Sequence, residues 1–384
     1  MKVLDFEIDT NQLVTNQASL SDTMRMAFYE ADEELFELLD YDDDTIFLEP
    51  TLFCRFLSDI KPEEKIPLVQ SVLGYMPVQN WPKTILLKAD ILGLINLPNL
   101  GYIRAEPNAT IDLETKQIAI NIVPNQFIKN STIRLCLHPT DHLTFGQEGI
   151  VFDEPIEQTL TKNTNSLYEA TSFFQKHLPD FWQVLQSVTR EFVVFSSSPA
   201  YHSFAGIMQH GTAYFNVENK TQTAVFFIDD IAHQCGHIIF NALTLETDKY
   251  LKVPKDQPLN GFVEAPNETR GVYGAFHGLF TYTTILNGLD KVLDLENEFT
   301  DDLCHEAIGR MGFYIQKFMM DLKSMGNTDI LTEEGINYWK QFAEGCQYIA
   351  QKYGDILQPL DYSNQPYTFQ YDLFKTLNPI QDPA

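Results

Sequence analysis

Apolar residues in the second half of the chain recur at helical spacing. In the segment from Ala224 to Ala242, the residues Ala224, Ile228, Ile231, Cys235, Ile238 and Ala242 form a core stripe, and Phe226, Asp230, His233, His237 and Asn241 follow a similar spacing on roughly the opposite side. The pattern predicts a helix over 226–240. A long helix is expected from Ser166 to Thr189, another from Thr269 to about Asn287, and two more over 301–325 and 332–353. Glu191-Phe-Val-Val-Phe and Thr212-Ala-Tyr-Phe-Asn-Val read as short strands, Val253–Asn267 as a loop rich in Pro and Asn, and the tail from Leu357 as irregular.

The first half reads differently. Ser19 to Asp40 has the pattern of an acidic amphipathic helix, broken by the charge cluster Asp40-Tyr-Asp-Asp-Asp44. Thr84-Ile-Leu-Leu-Lys-Ala, Gln117-Ile-Ala-Ile-Asn-Ile-Val and Thr132-Ile-Arg-Leu-Cys-Leu alternate or run apolar like strands. No internal repeat is visible. The fold class expected is α+β. A helix and strand lobe spans 1–160, with peptide recognition as a possible role. A mainly helical lobe with the chemistry spans 161–384 and carries a strand followed by the 226–240 helix.

Composition narrows the partners. The 384 residues suffice for a large core and two lobes. The formal net charge of -27 repels phosphate backbones and anionic membranes, so neither nucleic acid nor a membrane is expected as a partner. No run approaches the roughly 20 apolar residues that span a bilayer, and the amino terminus lacks the apolar core and cleavage signal of a secretory peptide. The five scattered cysteines, without a CxxC, fit a reducing compartment. A cytoplasmic location is the expectation.

His233 and His237 stand four apart, so both imidazoles project from one helix face, where they can share a metal ion. Hydrolytic versions of this motif carry a Glu directly after the first His to activate metal-bound water. Here the position is Gln234, and an amide takes no proton at neutral pH. Two ordinary hydrogen-bonded histidines are the competing reading. A third ligand is expected from His277, with Glu264 and Glu268 as alternatives. Gly271, Gly274 and Gly278 offer a side for close backbone approach, which would bring His277 to the paired histidines. Arg270, two helical turns before His277, suits the far carboxylate of a metal-chelating dicarboxylate, or a plain salt bridge; Arg310 is the alternative anchor. There is no His-x-Asp or His-x-Glu, Walker A loop, GxGxxG or GxSxG.

Taken in order, the HxxxH helix, the Arg two turns before a His-Gly in an aromatic helix, and Leu331-Thr-Glu-Glu-Gly335 before the last helix resemble the HExxH-type, 2-oxoglutarate-dependent peptide β-hydroxylases of ribosomal peptide biosynthesis. The matching segments lie within 195–345. The resemblance implies a mononuclear non-haem Fe(II) enzyme with His233, His237 and His277 as ligands and Arg270 as a 2-oxoglutarate contact. Oxygen would be the oxidant and a precursor peptide the substrate, hydroxylated at a C–H of one of its side groups, at Cβ by expectation. Gln234 departs from the family's Glu. An oxygenase does not need that carboxylate to deprotonate water, so the departure weighs more against hydrolysis than against oxidation. A zincin-like hydrolase using His233, His237 and Glu264, and a non-catalytic peptide-binding homologue, are the alternatives.

Overall fold

The computed structural model describes residues 1–145, 150–263, 268–327 and 329–380. The chain is α+β, with small sheets formed by strands up to Asn216 and a run of long helices from Ala224 onwards. It divides into two compact units. One comprises Asn11–Thr164 and Gln186–Thr221; the other comprises Met1–Thr10, Asn165–Leu185 and Gln222–Ala384. The helix Ile156–His177 runs across the division. The first ten residues and the segment 186–221 are thus each grouped with the unit on the other side of a simple cut at 160. Strand Thr212–Asn216 and the histidine helix that follows it also belong to different units.

The sheet-bearing unit is built around a four-stranded sheet in the order Thr212–Asn216, Glu191–Phe195, Arg134–Leu135, Gln126–Phe127. Two of its three pairings are parallel, with Glu191 opposite Thr212 on one side and opposite Arg134 on the other, and the third, between Arg134–Leu135 and Gln126–Phe127, is antiparallel. Glu191–Phe195 is buried at every position, as a strand covered on both faces must be. Thr84–Lys88 pairs with Thr110–Glu114, and Leu94–Leu97 with Gly101–Arg104, both antiparallel. The segment Gln117–Val123 is not a strand. Residues Ile118–Asn121 form one helical turn, with Ile118 buried and Ile120 81% exposed, and only Val123–Pro124 pairs, against the Gly101–Arg104 strand. Short apolar runs carry too little periodicity to separate the two states. The helix expected from Ser19 starts earlier and spans Thr10–Ala31.

An ion cluster sits inside this unit. Arg134 is gripped by Glu49, at 2.7 and 2.9 Å, and by Glu191 at 3.0 Å, all three buried. Tyr75 donates to Glu49, and Thr212 and Cys136 donate to Glu191, so both carboxylates are held by hydrogen bonds as well as charge.

The segment expected as one helix over 166–189 is two, Ile156–His177 and Pro179–Val188, each with part of its length in either unit. Pro179 opens the second: proline lacks the N–H that a continuing helix needs but suits a first position. Helices Ala224–Leu243, Val272–Asp294, Asp301–Met325 and Glu333–Leu357 follow, and a short helix, Tyr371–Leu377, interrupts the tail expected to be irregular. The Leu331–Gly335 motif is a helix start. Thr332 accepts the Gly335 N–H at 3.1 Å as N-cap, and its own N–H donates to the Tyr250 carbonyl at 3.0 Å. A side chain at Gly335 would collide with that same carbonyl, so the position is closed to anything larger. Among the described residues no helix is long and apolar enough to cross a membrane.

Burial makes the sheet-bearing unit acid-sensitive. It lowers both His138 and His210 to about 4. Between their unfolded value near 6.5 and that value the unfolded chain binds more protons, so stability falls as pH falls, by roughly 1.4 kcal/mol per pH unit for each histidine. Asp90, raised by burial to about 6, acts with the opposite sign and offsets part of this. Urea denaturation is expected to show unfolding free energy declining from pH 7 to 5, with a shallower decline in a His138→Gln/His210→Gln variant.

Candidate functional site

The histidine helix, Ala224–Leu243, is buried at every position except Phe226, His233, His237 and Asn241. These four lie along one face, the row the spacing singled out, while the stripe from Ala224 to Ala242 is wholly buried. Thr223 caps the helix, accepting the Phe226 N–H at 3.0 Å and donating to Glu306 at 2.7 Å.

What seats this helix on Val272–Asp294 is Gly236, on the histidine helix itself. A methyl at 236 would lie 2.7 Å from the Thr284 hydroxyl oxygen, and that hydroxyl donates to the Ala232 carbonyl at 2.8 Å. The glycines expected to allow the approach act elsewhere. Gly271 precedes its helix and rests against Lys255 and Asp256, Gly274 has open space beside it, and Gly278 faces Asp321 and the Arg270 guanidinium.

This packing brings the three histidines side by side. The rings of His233 and His237 are 5.0 Å apart, and those of His237 and His277 are 4.6 Å apart. His237 Nδ1 and His277 Nε2 are 3.1 Å apart, and the same Nε2 lies 3.2 Å from the His237 carbonyl oxygen. Burial pushes His237 down to about 4 and holds His233 and His277 well below the usual imidazole range, so all three are neutral at pH 7. Among the described residues no three His, Cys, Asp or Glu side chains already close around one metal position. Tyr273 donates to Asn241 at 3.3 Å and stands 5.4 Å from the His277 ring, while Phe240 covers that ring at 5.2 Å.

Gln234 is buried. Its amide nitrogen donates to Asp230 at 2.8 Å, and its amide oxygen has no partner among the described residues. Glu264 lies outside the described residues. Glu268 chelates Arg270, which in turn holds its carboxyl below the usual range.

Arg270 lies just before its helix, which begins at Val272, so the two-turn helical relation to His277 does not apply. Its guanidinium is shared between two carboxylates, Glu268 at 2.6 Å and Asp321 at 2.7 and 2.8 Å. Arg310 is enclosed. It pairs with Asp229 at 2.7 Å and Glu306 at 2.7 Å, and the Phe226 and Phe369 rings cover it. Both arginines therefore have protein carboxylates where a keto acid's carboxylate would bind.

Three residues that the sequence pattern did not single out belong to this neighbourhood. Tyr314 stands 6.4 Å from the His233 ring, Lys317 is pushed down to about 8 by burial, and Asp321 binds Arg270. With Arg310 they recur at spacings of 4, 3 and 4 along the helix Asp301–Met325, the same signal that marked the histidine row. Lys317 donates to the Tyr367 carbonyl at 2.6 Å and lies over the Phe313 and Tyr367 rings. The chain matches no protein-family model and no curated protein.

Two substitutions probe this architecture. Gly236→Ala should destabilise by about 1–3 kcal/mol through overpacking against Thr284, measured by chemical denaturation. Arg310→Met leaves Asp229 and Glu306 buried without their cation and should cost about 3–5 kcal/mol; a loss below about 1 kcal/mol would show that the pair is not structural.

Proposed function

We propose that this protein is a metal-dependent oxygenase, an Fe(II)/2-oxoglutarate hydroxylase acting on a C–H of a peptide's side group, with His233, His237 and His277 as its ligands. The observation that carries the reading is the 3.1 Å separation of His237 Nδ1 and His277 Nε2, from two different helices. Two nitrogens that each bond one metal at about 2.1 Å lie about 3.0–3.4 Å apart in octahedral or tetrahedral geometry. Neutral imidazoles, two on a partly exposed helix face and one buried on the neighbouring helix, are a donor set suited to iron. His233 would have to turn its ring towards the other two to complete the set.

A bound Fe(II) with 2-oxoglutarate and O2 supplies the oxidising power for C–H hydroxylation. The protein's own residues bind and orient. The imidazoles, neutral at pH 7, would hold the ion. Gln234, tied to Asp230 and without a proton to take or give, cannot act as the base that a hydrolase needs, which favours oxidation over the zincin-like alternative. A keto acid reaching Arg270 would have to compete with Glu268 and Asp321 for the fork.

One observation favours a second reading, a non-catalytic peptide-binding homologue: the His237–His277 contact and the two-carboxylate grip on Arg270 give these imidazoles and this guanidinium protein partners without any ligand. Anaerobic titration with Co(II), read by visible absorption, separates the two. The first reading expects one ion per protein molecule, lost in His233→Ala and in His277→Ala. It also expects Fe(II)-loaded protein to convert 2-oxoglutarate to succinate, with a gain of about 16 Da on an accepted peptide. Metal uptake with 2-oxoglutarate left intact would sink the oxygenase, and failure to take up any ion would favour the second reading.

A further inference from the structure

The chain has seven arginines and about twice as many acids as bases, 53 against 26. In such a protein an arginine meets a carboxylate or carbonyl almost anywhere it points. Six of the seven do. Arg25, Arg104, Arg134, Arg270 and Arg310 bind carboxylates, and Arg55 binds the Ile66 carbonyl. Arg190 alone has no guanidinium partner among the described residues, and it lines a cleft of about 450 Å³ in the sheet-bearing unit.

The fork is presented by a fixed stem. The Arg190 backbone is tied on both sides, its N–H to the Gly211 carbonyl at 2.7 Å and its carbonyl to the Arg134 N–H at 2.8 Å. Its side-chain stem lies over Gly211, where a methyl would come 3.1 Å from Arg190 Cγ. Gly211 has φ +92°, a conformation that glycine adopts without strain. The stem therefore rests on a backbone surface that only glycine provides, which lowers the entropy lost when the guanidinium binds.

The other walls define what fits. Arg134 also lines the cleft, but its charge is taken by Glu49 and Glu191, and Tyr75 is turned to Glu49. Asp43 is a wall residue whose Oδ1 accepts the Thr45 N–H and hydroxyl; it keeps its negative charge, which disfavours an anion on that wall and directs one to Arg190. What remains is one uncommitted guanidinium, the polar side chains of Asn99 and Thr132, and the ring of Phe127, 45% exposed on the edge strand. A fork, small polar groups and an exposed ring in one concavity match a ligand with a planar oxyanion at one end and an apolar body at the other.

We propose that this cleft is a binding site for a small carboxylate with an apolar or aromatic body, its carboxylate on Arg190 and its body against Phe127. The site lies in the unit that does not contain His233, His237 and His277 and is independent of the metal reading.

The probe is phenylacetate, with phenylacetamide as a neutral isostere, titrated into the full-length protein by calorimetry and ligand-observed NMR. Phenylacetate is expected to bind with a Kd below about 10 mM, and the amide at least about tenfold more weakly. Arg190→Gln, which keeps the stem over Gly211, should lose the same factor with far-UV circular dichroism unchanged. Phe127→Ala, at an exposed edge, should weaken binding several-fold and serves as the second variant if Arg190→Gln fails to fold. Equal affinity for acid and amide, no binding at about 10 mM, or phenylacetate affinity unchanged in either variant would overturn the proposal. Inorganic phosphate binding more tightly than phenylacetate would overturn it too, since the apolar body would then contribute nothing.

Discussion

The helical unit depends on how closely two helices approach at Gly236. With no side chain there, the Thr284 hydroxyl reaches the Ala232 carbonyl across the interface, and the two backbones sit near enough for imidazoles from separate helices to touch. Gly288 repeats the device one contact further along, against Ile228. The buried stripe Ala224–Ala242 supplies the apolar area that holds the pair together, at about 25 cal/mol for each Å² removed from water. The geometry of the histidines follows from this spacing more than from any bond the imidazoles make themselves.

Charge is arranged on a different logic. With a formal charge of -27, cations are scarce, and most arginines are claimed by more than one acceptor. Arg134 bridges Glu49 and Glu191, Arg310 bridges Asp229 and Glu306, and Arg270 bridges Glu268 and Asp321. Each triad leaves one excess negative charge, so each guanidinium stays bound unless another anion competes for it. Where the triad is buried, its value lies in fixing one arrangement of the surrounding elements, because any alternative packing would strand an uncompensated charge.

The histidine row was legible because helical spacing converts directly into a face. Positions 226, 233, 237 and 241 are the four that remain partly exposed, and the core stripe opposite is buried throughout. The helix over 301–325 was legible for the same reason, with Thr300 as its cap. The row Arg310, Tyr314, Lys317, Asp321 carried an equal signal and passed unread because only its arginine resembled a ligand contact. Other features were beyond local reading. Whether Gln117–Val123 pairs or turns depends on the neighbours it finds, and the role of Gly236 appears only once Thr284, far along the sequence, is opposite it. Arg270 looked helical because the glycines and aromatics after it are compatible with a helix, but its position is set by the Gly271–Pro258 bridge that holds the backbone extended there.

Thr223 does two things with one hydroxyl: it accepts from the Phe226 amide and donates to Glu306, whose other oxygen holds Arg310. The bonds run in series, Thr223 to Glu306 to Arg310 to Asp229, so a change at one position breaks only the bonds to its neighbours, and the cap of the histidine helix is tied through Glu306 to a buried charge on the helix Asp301–Met325.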